Sequence, residues 1–362
     1  MKKNTKNNLF NLILPLTACF LLTVLICACS QNTQDAPDTT QITTTAPITT
    51  TAQTTTIPDL TTTEEITTIP TVTTTAATTT TAAPVTTVPV DLSKVEPYAS
   101  IERDAQHVLL YDITNEKILY FTGDSSIYPA SATKLLTLYF ALETLPRDTV
   151  LTVGEEINIA PADSSKAKIR IGERYTLTDI AAALLLPSGN DAAYTLAVTC
   201  GRYVSNNQDL SNMAALEVFM DALNKYAKEK GFNNTHFVTP DGYHDGAHKT
   251  TMEDMLGIAL LARTNALMCE LMDMPKYTAY ELGGTRVLTW NNSNYLISEK
   301  SEYYYQWATG MKTGFHTPAG ACVIASAKKD GRELMVLIFK CDSKTERFVD
   351  AKKFLEAGFE NG

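Results

Sequence analysis

The 362-residue chain has no cluster of lysine and arginine, and its acidic residues outnumber its basic ones by 40 to 30. Phosphate backbones are held by clustered cations, so this deficit excludes nucleic acid as a partner. None of the seven cysteines forms a Cys-x-x-Cys pair or stands at Cys/His ligand spacing, so a zinc site has no basis in the sequence, and no cofactor is expected. Internal repeats are absent. Large apolar side chains are scarce between about Gln31 and Val90, where the chain is mostly Thr with scattered Ala, Pro and Val. A stretch with so little surface to bury cannot offset its ordering entropy. It is expected to be disordered and resembles the Thr/Pro-rich stalks of extracellular proteins. At roughly 3 Å per extended residue, about 60 residues reach on the order of 150–200 Å.

What precedes that stretch is of a different kind. Lys2, Lys3 and Lys6 lead into an apolar run from about Leu9 to Ala28, the basic-then-apolar layout of a secretory signal. The run ends in Leu25-Ile26-Cys27-Ala28-Cys29-Ser30, which resembles a bacterial lipoprotein box with Cys29 as the residue to be lipidated. An uncleaved signal anchor is the alternative, because the run approaches the ~20 residues that cross a bilayer. Both readings place the rest of the chain outside the cytoplasm, tethered to the cell membrane at its N-terminus. The expected organisation is a targeting or anchor segment over 1–30, a stalk over 31–90 and one globular unit over 91–362. Setting aside three lysines in the first segment and five acids in the second leaves −8 of the net −10 charge on the globular unit. Its four cysteines, Cys200, Cys269, Cys322 and Cys341, are expected to be buried free thiols, although pairing cannot be read from sequence.

The globular unit is long enough to bury a sizeable core. It opens with two strand-like runs, His107 to Tyr111 and Lys117 to Phe121, joined by turn residues. An apolar helix is expected to start near Ser131 and stop before Pro146. A second covers Thr178 to Leu186 and ends at Pro187-Ser188-Gly189-Asn190, a third begins at Asp191, and a fourth covers roughly Ala214 to Lys230. The chain closes with strands over Ala321 to Ala327 and Leu334 to Phe339, an Asp330-Gly331 hairpin turn and a last helix over Arg347 to Leu355. The expected class is α+β: an antiparallel sheet with N- and C-terminal strands side by side, flanked by helices on both faces.

Three short motifs carry the chemistry. Ser-x-x-Lys occurs at Ser131/Lys134, Ser165/Lys168 and Ser326/Lys329, and only the first opens an apolar helix, where residues three apart share a face. A serine hydroxyl is a weak nucleophile that needs an adjacent base. A lysine in a dry pocket beside other cations loses its proton readily enough to be that base. At a helix start, Ser131 also has a backbone N–H free for an oxyanion. Ser165 and Ser326 are expected to be solvated surface residues. Ser188-Gly189-Asn190 makes a tight corner between two apolar helices and can project two polar groups into a cleft. Lys312-Thr313-Gly314 lies beside a strand, where glycine admits a close substrate and lysine and threonine offer donors to a carboxylate. The three motifs follow one another at separations of 57 and 124 residues.

That trio, in that order, is the signature of β-lactamases and penicillin-binding proteins. From roughly Ala99 onward the chain resembles the D-alanyl-D-alanine carboxypeptidase family, the low-molecular-mass penicillin-binding proteins. The resemblance extends over Tyr128 to Lys134, Leu186 to Ala193, Asn234 to Phe237, Pro240 to Asp245, Gly310 to Gly314, Ala319-Gly320 and Gly358-Phe359. It implies a β-lactamase/transpeptidase-like fold, peptidoglycan stem peptides as substrate and β-lactams as covalent inhibitors. Ser131 would attack the carbonyl between two D-alanines, with Lys134 as general base and Ser188 relaying the proton to the leaving amine. Asn190 would hold the substrate backbone, and Lys312 would maintain the local field. Thr313 would bind the terminal carboxylate beside the closely packed Gly314. The N–H groups of Ser131 and Phe315 would form the oxyanion hole. Arg347 falls where the family places an arginine near the substrate carboxylate; the alternative is a surface arginine capping the last helix.

Phe315 and His316 depart from relatives that carry histidine or tyrosine directly after Lys-Thr-Gly. This bears on substrate preference or deacylation, unless His316 is simply a loop residue. His236 and His244 are read as structural. Rival functions are a DD-endopeptidase, a β-lactamase and a non-catalytic wall- or β-lactam-binding module. The nearest β-lactamase class needs a glutamate in Glu-x-x-Leu-Asn, and the local lookalike Met220 to Asn224 has methionine in that place.

Overall fold

The computed structural model describes residues 92–361. The expected targeting segment, Cys29 and the stalk lie outside the described residues. The main sheet contains β1 (His107–Asp112), β2 (Lys117–Thr122), β3 (Ala308–His316), β4 (Gly320–Lys329) and β5 (Arg332–Cys341). All neighbours pair antiparallel in the order β2-β1-β5-β4-β3, so the first strands and the last share one sheet as expected. The turn between β4 and β5 is Asp330-Gly331, with φ of +50° and +81°, which suits the right-handed twist of a two-residue hairpin.

The sheet is buried on both faces. Val108, Leu110, Val336 and Ile338 point into one apolar cluster with Phe348, Phe354 and Leu355 of α7 (Glu346–Asn361). Leu109, Ile324, Leu337 and Phe339 point the other way, into a larger cluster built on helices. This is why Leu334 to Phe339 reads as a continuous apolar run rather than an alternating one.

On the second face the central helix is α1 (Lys134–Thr144), buried from Lys134 through Ala141. Around it pack α2 (Leu177–Leu185), α3 (Asn190–Val204), α4 (Asn212–Glu229) and α5 (Met252–Arg263). A capping box between Thr176 and Asp179 starts α2, and the Ser211 hydroxyl starts α4 by accepting from Ala214 N at 3.2 Å. Sequence periodicity left out α5, the short α6 (Ala266–Asp273) and the ribbon Lys276–Tyr280/Val287–Asn291. α5 and α6 meet at a 98° bend at Thr264-Asn265, and α6 is only eight residues long.

Two sequence expectations are corrected. Ser326 is fully buried, with its Oγ bound to Arg263 at 3.0 Å and Thr309 at 2.7 Å, because its strand is covered on both sides. Cys200, Cys322 and Cys341 are buried free thiols as expected, but Cys269 is only half-buried.

An ion pair ties the neighbouring strands β1 and β5 to each other and to α7. Arg332 Nε and Nη2 donate to Asp112 Oδ2 at 2.8 and 2.6 Å, while Nη1 donates to Gly358 O at 2.8 Å. Burial pushes the Asp112 carboxyl upward, but hydrogen bonds from Asn115 and Arg332 outweigh it and hold the group below its usual range. Replacing Arg332 with Ala leaves a nearly inaccessible carboxylate unpaired. Unfolding in urea at pH 7 should require about 3 kcal/mol less for this variant than for the native chain. Because the folded carboxyl is depressed, that stabilisation is present above the unfolded pKa of about 4 and is lost as pH falls below it. The gap between the two proteins should therefore narrow on acidification.

Candidate active site

The turn that carries Ser131 is strained and braced. Ala130 has φ +47° and opens a short 3-10 turn, Ala130–Thr133, that runs directly into α1 at Lys134. The serine expected at the start of an α-helix thus sits one turn earlier, in tighter geometry. Thr133 Oγ1 donates its single proton to Ala130 O at 2.8 Å and also contacts His248 Nε2 at 2.8 Å. The ring must therefore donate there, which leaves Nδ1 to accept from Val238 N at 3.0 Å. Burial pushes His248 down to about 3, so the neutral tautomer persists. Gly242 approaches the same turn: a Cβ at that position would lie 1.8 Å from Ala130 O.

One turn on, Lys134 is fully buried. Its Nζ lies 2.9 Å from Ser131 Oγ, 2.8 Å from Asn190 Oδ1 and 2.7 Å from the Asp241 carbonyl. Burial pushes its pKa down to about 8, against the opposing pull of Asp241 and Asp191. Protonated, the ammonium gives one hydrogen to each acceptor. Neutral, it has two hydrogens and a lone pair. Asn190 Oδ1 and the Asp241 carbonyl can only accept, so they take both hydrogens. The lone pair then faces Ser131, whose hydroxyl becomes the donor.

Asn190 comes from the corner between α2 and α3. Pro187 lies just past the end of α2, and Ser188 takes φ +61°. The Ser188 hydroxyl is buried and has no partner among the described residues. Ser165 donates to Ser188 O at 2.6 Å and accepts from Asn190 N at 2.8 Å. Asp191 accepts from Ala167 N and Lys168 N at 2.8 and 2.7 Å. The loop around Ser165 is therefore locked to the corner. Ser165 is exposed, as expected of it, yet it braces the site.

β3 forms the opposite wall. Lys312 is buried with its Nζ donating to Thr313 O at 3.0 Å. Burial first, then the charges of Lys134 and Arg347, hold its pKa well below the usual lysine range. Thr313 Oγ1 and Ser293 Oγ are 2.7 Å apart. A Cβ on Gly314 would come within 3.1 Å of Ala130 Cβ and 3.2 Å of Ser131 N, so glycine lets strand and nucleophile turn pack this closely without displacing either. Arg347 reaches in from α7, donating to Gly314 O at 2.8 Å and Cys322 O at 3.2 Å, with its Nε buried and unpartnered. It is no surface cap of the last helix. Phe315 is exposed, with Lys344 Nζ 4.1 Å from its ring centroid. His316 accepts at Nδ1 from Ala319 N at 3.1 Å, and burial pushes it down to about 4.

These walls enclose a cleft of about 700 Å³ whose lining includes Ser131, Ser188, Asn190, Thr313, Gly314 and Arg347. Lys134 and Lys312 lie buried behind it. The three motifs, 57 and 124 residues apart in sequence, thus meet at one place. His244 was read as structural, but its exposed ring lines the cleft beside His316, with centroids 4.9 Å apart, and His236 is exposed. The buried structural histidine is His248. Sequence reasoning missed it, together with Ser293 and the Asp241 carbonyl. Asp241 lies within a stretch that carried the family resemblance, whereas Ser293 offers no local signal.

Residues 93–343 match the family model described as D-alanyl-D-alanine carboxypeptidase. Among relatives, the D-alanyl-D-alanine carboxypeptidase of Streptomyces sp. strain K15 is 30% identical over 245 residues, 66% of this chain and 80% of that protein. DacF of Bacillus subtilis is 28% identical, and the match spans 72% of this chain but only 60% of DacF. The D-alanyl-D-alanine endopeptidase of Escherichia coli is 26% identical, over 68% of this chain and 74% of that one. The solved Streptomyces K15 DD-transpeptidase superposes with a TM-score of 0.65 at 28% identity, covering 72% of this chain and 98% of that structure. Fold, motif constellation and sequence agree: this chain belongs to the D-alanyl-D-alanine carboxypeptidase family of serine peptidases.

Proposed function

We propose that the chain removes the terminal D-alanine from peptidoglycan stem peptides through an acyl-enzyme on Ser131. The observation that carries this reading is the 2.9 Å contact between Ser131 Oγ and a fully buried Lys134. Lys134 takes the Ser131 proton as the hydroxyl attacks the carbonyl between the two D-alanines. The Ser131 and Phe315 N–H groups hold the developing oxyanion. The Ser188 hydroxyl, with no partner of its own among the described residues, passes a proton to the departing amine. Asn190 orients both Lys134 and the substrate backbone. Thr313 and Arg347 receive the terminal carboxylate, and Lys312 contributes positive field behind them. Arg347 suits this part because, among the described residues, no carboxylate pairs with its guanidinium, which donates to Gly314 O and Cys322 O and lies over the Phe348 ring. Water then hydrolyses the ester.

Deacylation by a β-lactamase-type glutamate finds no support in the lookalike segment. Met220 is buried in the core, and Asn224 is bound to the backbone of Phe237 and Met220. The endopeptidase relative keeps cross-link cleavage as a second reading, and the products separate the two. Free D-alanine marks the carboxypeptidase, and monomers released from dimers mark the endopeptidase. The enzyme acts outside the cytoplasm, as cell-wall substrates require. We assign the tether to residues 1–30 with lipidation at Cys29, and the reach into the wall to the stalk.

Ser131→Ala should abolish both D-alanine release from a pentapeptide ending in D-Ala-D-Ala and covalent labelling by fluorescent penicillin. Equal release by both proteins would refute the mechanism. Because neutral Lys134 is the reactive form, acylation should rise with pH around a midpoint near 8 and fall away below it. Stopped-flow labelling across pH reads this directly, and a flat profile would exclude Lys134 as the base. Gly242→Ala should slow labelling by at least about tenfold, since displacing Ala130 moves the nucleophile by the order of an ångström.

A further inference from the structure

Two acids, Asp241 and Asp191, act on the Lys134 amine, while Lys312 meets the charges of Lys134 and Arg347. Asp241 is completely buried. Its carbonyl accepts from Lys134 Nζ at 2.7 Å, its Oδ1 accepts from Tyr243 N at 3.0 Å, and its Oδ2 has no partner among the described residues. A buried carboxylate oxygen without a hydrogen bond is costly, and it survives where a nearby positive charge compensates it.

The other groups that face Lys134 do not fill that place. From α3, Asp191 spends both oxygens on the backbone N–H groups of Ala167, Lys168 and Ala192. Tyr194, also from α3, is a buried phenol pushed above its usual range first by burial and then by Asp241, so it stays neutral. From β3 comes Lys312, of the same sign as Lys134. His248 stands behind Thr133 as a neutral ring. Asp241 is thus the nearby acid whose charge is least consumed by other bonds.

We propose that Asp241 is a positioning residue for acylation, whose buried carboxylate stabilises the Lys134 ammonium formed when Ser131 gives up its proton. The inference rests on reading Lys134 as the base. In the step, the Ser131 O–H bond breaks as the O–C bond to the substrate carbonyl forms. The proton moves to Lys134 Nζ, and negative charge appears on the carbonyl oxygen. Without Asp241 that ammonium would form beside Lys312 with only Asp191, whose two oxygens are both bound to backbone N–H groups, to oppose it. The carboxylate therefore trades availability of the base at low pH for strength of the base once it is free.

This trade makes the test discriminating. Asn at position 241 preserves the main-chain carbonyl and an oxygen for Tyr243 N while removing the charge. Acylation of the full chain by fluorescent penicillin is followed from about two pH units below the native midpoint to about two above it. For Asp241→Asn the midpoint should move down by about one pH unit, as expected when an opposite charge near an amine is removed. The plateau at high pH should fall several-fold, because a weaker base accepts the proton less readily. The two curves then cross, and the variant labels faster than the native protein on the acid side. Asp241→Ala, which also loses the Tyr243 contact, should show the same midpoint as Asp241→Asn. An unmoved midpoint in either soluble variant, or a uniform loss at every pH, overturns the proposal, because structural damage alone cannot speed labelling. Labelling reads acylation directly. Failure to release D-alanine from peptide in a parallel assay would count against the carboxypeptidase reading, while the midpoints still decide the part played by Asp241.

Discussion

The site depends on keeping one amine dry. Lys134 lies at the buried start of α1, and among the described residues its Nζ meets three oxygens, from Ser131, Asn190 and Asp241. Burial makes its charged form expensive enough to bring the proton within reach of neutral pH. The two pure acceptors then determine where the lone pair points. An exposed lysine at the same spacing, such as Lys168 after Ser165, has neither property. The core that packs α1 against its neighbours is therefore part of the catalytic machinery, since loosening it would rehydrate the amine.

Strain is placed where this geometry needs it. Ala130 and Ser188 both take left-handed backbone conformations, one directly before the nucleophile and the other at the corner that supplies Asn190. Each is over-determined by its surroundings. Ala130 is gripped by Thr133, His248 and the close approach of Gly242, while the corner is gripped by Ser165 and Asp191. Residues held off the favoured regions persist when the rest of the fold fixes them, and they cluster where function needs a side chain in a particular place. The same logic applies to β3, where Gly314 lets the strand lie against the Ser131 turn.

The electrostatics are asymmetric even though the chain as a whole is acidic. Lys134 and Lys312 lie buried behind the cleft and Arg347 and Lys344 line it, while the carboxylates of Asp191 and Asp241 act on Lys134. Such a gradient suits an anionic group at one end of a peptide and a developing negative charge near Ser131. The charges of Lys134 and Arg347 also add to burial in weakening the protonation of Lys312.

The sequence alone determined what depends on local order: the hairpin turn at Asp330-Gly331, the strands at both ends of the globular unit, the apolar helices and the identity of Ser131, Lys134, Ser188, Asn190 and Lys312 as candidates. These are legible because turn chemistry, period and motif spacing act over a few residues. α6 and the ribbon after it escaped notice because their patterns are short, at eight residues and five per strand, whereas α5 was missed without that excuse. Tertiary structure alone decided that Ser326 is buried while Ser165 braces the corner, that His248 rather than His244 holds the nucleophile turn, and that Arg347 points into the cleft. It also brought Ser293 and Asp241 to the site. The physical reason is that a side chain's exposure, its hydrogen-bond partners and the charge it meets are set by residues far away in the chain, and no local pattern encodes them.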